Sequence, residues 1–157
     1  MNVYDDNGCV PLDIYNSFNV GQFCLYTVPG RPAPLARPRF RSGVVWDCQR
    51  LLKGQVRECI RVQHGSVGMI TGPVVLYCSF SFMVPSSWSR RKQARYRQAP
   101  YSGRPDLSNL VKFIEDCIVG IVVADDAPII SFYAQKRYDT TNCTTIGIAP
   151  YTKGYDE

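Results

Sequence analysis

Histidine is almost missing from this sequence, since His64 is the single one among 157 residues. A structural zinc centre draws on closely spaced cysteine and histidine ligands, so that scarcity argues against one. The seven cysteines, Cys9, Cys24, Cys48, Cys59, Cys78, Cys117 and Cys143, do not make up the deficit, because they are odd in number, scattered and include no Cys-x-x-Cys pair. Buried free thiols are the expectation for them. Also missing is any run of the roughly twenty apolar residues that cross a bilayer. A charged fraction of 20% and a mean hydropathy of -0.15 fit a soluble globular chain with no membrane partner. Asp5 and Asp6 stand where a secretory leader would carry lysines and an apolar stretch, so the expected compartment is the cytoplasm. The length suits one domain, expected over 20–150, with a loosely ordered N-terminal extension over 1–19 and a C-terminal tail over 151–157.

Acidic residues are missing from two stretches, and this matters more than the total charge of +5. Arg31, Arg37, Arg39 and Arg41 occupy one stretch; Arg90, Arg91, Lys92, Arg95, Arg97 and Arg104 occupy the other. Together they are 10 of the 18 basic residues, which leaves 8 basic against 13 acidic elsewhere. Such segregation suits a polyanion-binding surface, because clustered arginines release counterions when they meet phosphates. The competing reading is a solvated charged loop. Phe40, Trp46, Trp88, Tyr96 and Tyr101 lie near these segments and can stack on exposed bases, although core packing is the commoner use of aromatics.

The pattern along the chain predicts an α+β fold, with a mixed sheet of about five strands and about three helices on it. Strands are expected near 22–28, 38–46 with a turn at Ser42-Gly43, 73–83, 129–137 and 143–149. Asp47 is placed to cap a helix running to His64, with Leu51, Leu52, Val56, Cys59 and Ile60 on one face and Gly65 as its stop. Pro85-Ser86-Ser87 is placed to cap a short basic helix ending near Gln98. Residues 99–105 are loop-like, and a third helix begins at Asp106.

That third helix carries the candidate chemistry. Leu107, Leu110, Val111, Ile114 and Ile118 form an apolar stripe, while Ser108, Lys112 and Asp116 recur one turn apart on another face beside Glu115. Asp106 follows a proline at the N-cap position, so a plain capping role competes with a functional one. A second acidic pair, Asp125-Asp126, precedes the apolar strand that starts at Ile129. Hard cations need carboxylate oxygens converging from separate elements, and a helix start beside a strand start can supply them.

The run Arg104-Pro105-Asp106-Leu107-Ser108-Asn109-Leu110-Val111-Lys112, followed by Asp125-Asp126-Ala127-Pro128-Ile129-Ile130, resembles the signature of the RusA-type Holliday junction resolvases. Gly30-Arg31-Pro32-Ala33-Pro34, Arg37-Pro38-Arg39-Phe40, Pro73-Val74-Val75, Met83-Val84-Pro85, Trp88-Ser89 and Lys136 follow the family's order, so the resemblance spans about residues 22–148. It implies a homodimeric, magnesium-dependent crossover junction endodeoxyribonuclease of recombination and repair, without an organic cofactor, that nicks paired strands of branched DNA. It further implies Asp106 and Asp126 as metal ligands, Asp125 as an assisting neighbour and Lys112 as the catalytic lysine. Arg37, Arg39, Arg41, Arg90, Arg91, Lys92, Arg95 and Arg104 are expected to hold the DNA. One departure stands out: the family usually has a second aspartate two residues after the first, and here that position is Ser108. A hydroxyl is a weak neutral donor, so Ser108 as a ligand leaves the site one negative charge short. Asp125, Asp116 and Glu115 are the candidates to compensate. The alternative function is a branched-DNA-binding protein of the same fold that does not cleave.

Overall fold

The fold comes from a computed structural model, which describes residues 23–151. The expected extension over 1–19, Gln22 of the first expected strand, and all of the expected tail except Tyr151 lie outside the described residues. In chain order the elements are β1 (Cys24–Pro29), β2 (Arg39–Arg41), β3 (Val44–Trp46), α1 (Arg50–His64), β4 (Val74–Met83), α2 (Arg90–Tyr96), α3 (Leu107–Ile118), β5 (Ile129–Asp139) and β6 (Cys143–Pro150).

β4 is the central strand because nearly everything in it is buried, as expected for an unbroken Val-, Tyr- and Phe-rich run. It pairs antiparallel with β6 and parallel with β5, and β1 closes the other side, giving the order β1-β6-β4-β5. A parallel neighbour requires a crossover, and the chain from β4 to β5 supplies it through α2 and α3. Alternate β4 residues Val74, Leu76, Cys78, Phe80 and Phe82 join Ile146 and Ile148 in the core. Val56 and Ile60 of α1 and Leu110, Ile114, Cys117 and Ile118 of α3 complete it. Each fully buried aliphatic side chain of this kind contributes about 1.5–3 kcal/mol.

Charged groups tie α1 to α3. Lys53 Nζ donates to Asp47 Oδ2 at 2.8 Å and to Asp116 Oδ2 at 3.1 Å. Arg57 Nη1 donates to the carbonyls of Asp116, Cys117 and Val119 at 3.1, 3.3 and 2.7 Å. The last turn of a helix leaves such carbonyls without intrahelical partners, and Arg57 satisfies them.

The α+β class and the mixed sheet agree with the sequence pattern, but several local expectations do not. Residues 38–46 form a separate hairpin of β2 and β3, so the main sheet has four strands and not five. Ser42 and Gly43, with φ of 52° and 79°, make the tight turn between them. Gln49, not Asp47, occupies the N-cap of α1, while Asp47 Oδ1 accepts from Gln49 N at 2.8 Å. Leu51 is 79% exposed, and the inward face of α1 is Val56, Ile60 and His64. Ser89 caps α2, its side chain accepting from Lys92 N at 3.3 Å, in place of the earlier Pro85-Ser86-Ser87. Among the described residues six cysteines are free thiols, but only Cys78 and Cys117 are buried, and Cys48 is exposed. Burial pushes the Cys117 thiol up to about 12. No helix among the described residues is long and apolar enough to cross a membrane.

Candidate functional site

Asp106 occupies the N-cap of α3 with extended backbone, φ -67° and ψ 138°. Its carbonyl accepts from Asn109 N at 3.1 Å and Leu110 N at 3.2 Å, which starts the helix. Its side chain makes no capping hydrogen bond. The capping role therefore does not account for the carboxylate, which is exposed beside the loop that precedes it. Burying Leu110, Val111, Ile114 and Ile118 turns the opposite face of α3 outward, so Ser108, Lys112 and Asp116 line one exposed stripe. Asp116 is engaged by Lys53. Lys112 is exposed, and among the described residues it forms no ion pair within 4.0 Å.

Beyond α3 the chain reverses tightly, with Gly120 N donating to Val123 O at 2.7 Å and Val122 N to Ile118 O at 3.0 Å. Asp125 and Asp126 follow on the approach to β5. Asp125 Oδ1 accepts from Asp126 N at 2.7 Å. Hydrogen bonds from the backbone of Asp126, the largest cause, and of Ala127 hold the Asp125 carboxyl below the usual carboxylate range. This neighbour thus fixes the turn. The carbonyl of Asp126 accepts from Ile129 N at 3.0 Å, which starts β5. Burial pushes the Glu115 carboxyl up; the charges of Asp126 and Asp116 add to the effect, and Lys112 opposes it. Lys112, Glu115 and Asp126 therefore share one electrostatic neighbourhood. Among the described residues no hydrogen bond or ion pair joins Asp106 to Asp126, and the two are contributed by opposite ends of the α3-to-β5 segment.

The oxygens offered by Asp106, Asp126, Ser108 and Asp125 are hard donors of the kind magnesium takes. Among the described residues no three His, Cys, Asp or Glu side chains are grouped to hold a metal by themselves. Magnesium does not require that, since it commonly uses one or two carboxylates with water and substrate phosphates completing its shell. The exposed Asp106 carboxylate, which makes no capping hydrogen bond, fits such a donor set.

The basic residues fall on two surfaces. Arg37, Arg39 and Arg41 lie on and before the β2–β3 hairpin, where every strand residue is exposed. Arg90, Arg91, Lys92 and Arg95 belong to α2, none of whose residues is buried, and Arg104 is exposed two residues before Asp106. Ser89, Arg91, Lys92, Arg95 and Tyr96 line a shallow hollow. The aromatics divide between the two uses. Trp88, Tyr96 and Tyr101 pack around Tyr138 with centroids 5.6, 5.9 and 5.0 Å away, whereas Phe40 and Trp46 stand out on the hairpin, Phe40 at 72% exposure. Two side chains hold the loop before Asp106, Lys136 by hydrogen bonds to the carbonyls of Gly103 and Pro105 and Tyr101 by one to that of Arg104. The sequence does not signal this role for either, Tyr101 being a candidate there only for stacking. Lys136 was noted only for its place in the family's order, and nothing in the sequence signals that a strand lysine reaches across to loop carbonyls.

Residues 29–149 match the family model described as "Endodeoxyribonuclease RusA". The chain belongs to the RusA endodeoxyribonuclease family, which places it among nucleases that hydrolyse DNA and agrees with the α+β architecture above. It is also similar to the "Uncharacterized protein YqaN" of Bacillus subtilis (strain 168). The two are 25% identical over 122 residues, covering 72% of this chain and 86% of that protein.

Proposed function

We propose that the protein is a magnesium-dependent crossover junction endodeoxyribonuclease that acts as a homodimer on four-way or related branched DNA. The observation that carries this reading is the exposed, uncapped Asp106 carboxylate at the head of a helix whose outward face presents Ser108 and Lys112. Asp106 and Asp126 would hold the metal, with Ser108 a neutral neighbour and Asp125 fixing the turn that presents Asp126. When bound, the ion polarises the scissile phosphate and favours in-line attack by water. Lys112, with no acidic partner within ion-pair distance among the described residues, would offset the charge that develops on the phosphate. The arginines of the hairpin, of α2 and Arg104 hold the DNA arms through phosphates, which selects branched shape over base sequence. A two-fold dimer suits a junction that offers two equivalent strands, and the cytoplasm is the compartment in which the enzyme meets recombining DNA.

The test is nicking of a labelled four-way junction by Asp106→Asn and Asp126→Asn, beside wild type. Each variant is expected to lose at least about 100-fold in rate while still binding the junction, because removing a carboxylate leaves the phosphate contacts intact. Wild-type rates in both variants would contradict the assignment. Ser108 supports a second reading, a non-cleaving junction-binding relative, which predicts metal-independent binding and no nicks from the wild type.

A further inference from the structure

Three consecutive carbonyls ahead of Asp106 are each held by a side chain. Lys136 Nζ donates to Gly103 O at 2.6 Å and to Pro105 O at 2.8 Å, and between them Tyr101 Oη donates to Arg104 O at 3.0 Å. Both holding groups are fixed to the sheet. Tyr101 N donates to Lys136 O at 3.1 Å, and the Tyr101 ring stacks on buried Phe82 with centroids 4.2 Å apart. Lys136 lies opposite Phe80 in the parallel β4–β5 ladder, and its ammonium is 5.6 Å from the Tyr101 centroid. The loop follows the ring so closely that a Cβ on Gly103 would fall 2.7 Å from Tyr101 Oη.

A loop of this kind has no ladder of its own, and its carbonyls would ordinarily face water. Bonds from a charged ammonium are roughly twice as strong as neutral ones, and Lys136 makes two of them on either side of Arg104. Since the Asp106 side chain makes no capping bond, its placement is inherited from the backbone that delivers it. That backbone is pinned at Pro105, one residue away, by Lys136. We propose that Lys136, assisted by Tyr101, is the positioning residue of the nuclease site, clamping the 103–105 carbonyls to β5 so that Asp106 is presented to the metal in one fixed place. The inference rests on the reading of Asp106 as a metal ligand.

The experiment compares the full chain as wild type, Lys136→Met, Lys136→Arg and Tyr101→Phe. Nicking of a four-way junction is followed across magnesium concentrations, and Mn2+ binding to the protein alone is followed by calorimetry. Lys136→Met is expected to keep its junction Kd within about threefold, while kcat falls and the half-saturating metal concentration rises, each by about 10- to 100-fold. Lys136→Arg recovers most of both, and Tyr101→Phe shows a smaller shift in the same direction. Wild-type kcat and metal titration in Lys136→Met would overturn the proposal, as would a weakened Kd with kcat unchanged, which would make Lys136 a DNA contact. Should Lys136→Met fail to fold, an unchanged metal titration in Tyr101→Phe overturns it. A wild type that neither nicks nor binds Mn2+ removes the Asp106 assignment itself and the proposal with it.

Discussion

Ser108 lies two residues after Asp106 on the outward stripe of α3, where a carboxylate would face the same solvent as Lys112. Restoring the charge by Ser108→Asp is expected to lower the half-saturating magnesium concentration about tenfold, since hard-cation affinity follows the number of charged oxygens. Titration of nicking rate against magnesium reads this directly, and an unchanged midpoint would remove position 108 from the metal's surroundings. The outward placement of Ser108 and Lys112 was legible in the sequence because the apolar stripe fixes which face of α3 turns in. Residue pattern alone does not separate Asp125 from Asp126, which only the resemblance distinguishes, because adjacent acids in a turn differ only in which oxygen meets the backbone. Asp125 spends its oxygen on Asp126 N. Asp125→Asn is accordingly expected to cost less activity than Asp126→Asn, by about tenfold or more, in the same junction assay.

Between elements, the junction of α1 and α3 makes a prediction about pH. Hydrogen bonds from Lys53 and from Gln49 N hold the Asp47 carboxyl below its ordinary 3.8. Its contribution to stability is therefore fully present above 3.8 and is lost as pH falls through the lowered folded value. Partial burial works against the charge of Lys53, but its bonds to Asp47 and Asp116 outweigh that and raise it above 10.5. The lysine's contribution is present below 10.5 and fades as pH rises through its folded value. Lys53→Met is expected to be less stable than wild type at neutral pH and to lose less on acidification below pH 4, as checked by urea denaturation across pH. Parallel curves would contradict the clamp. The basic elements predict a different readout. Arg91→Ala with Arg95→Ala in α2 is expected to weaken junction and duplex binding alike and to reduce the slope of log K against log salt by about two. Helix α3 was legible from its helical periodicity, and strand β4 from its unbroken run of Val, Tyr and Phe. The strand character of 38–46 and its turn at Ser42-Gly43 were legible too, but the separation of this hairpin from the main sheet was not, because only tertiary contacts decide it.

At the scale of the whole molecule, an α+β layer places one candidate acid at the entrance of a helix and the other at the entrance of an edge strand, with basic surfaces on a hairpin and a short helix nearby in sequence. That arrangement, together with family membership over residues 29–149, supports a hydrolase of branched DNA. Charge segregation made the nucleic-acid reading accessible from the sequence, whereas the loop clamp by Lys136 emerged only when β5 and the 101–105 loop were seen side by side. The most direct measurement incubates the wild-type protein with a labelled four-way junction and a matched linear duplex, in magnesium and in chelator. Paired nicks on the junction alone, present with magnesium and gone with chelator, are the predicted result; equal treatment of junction and duplex would contradict the account.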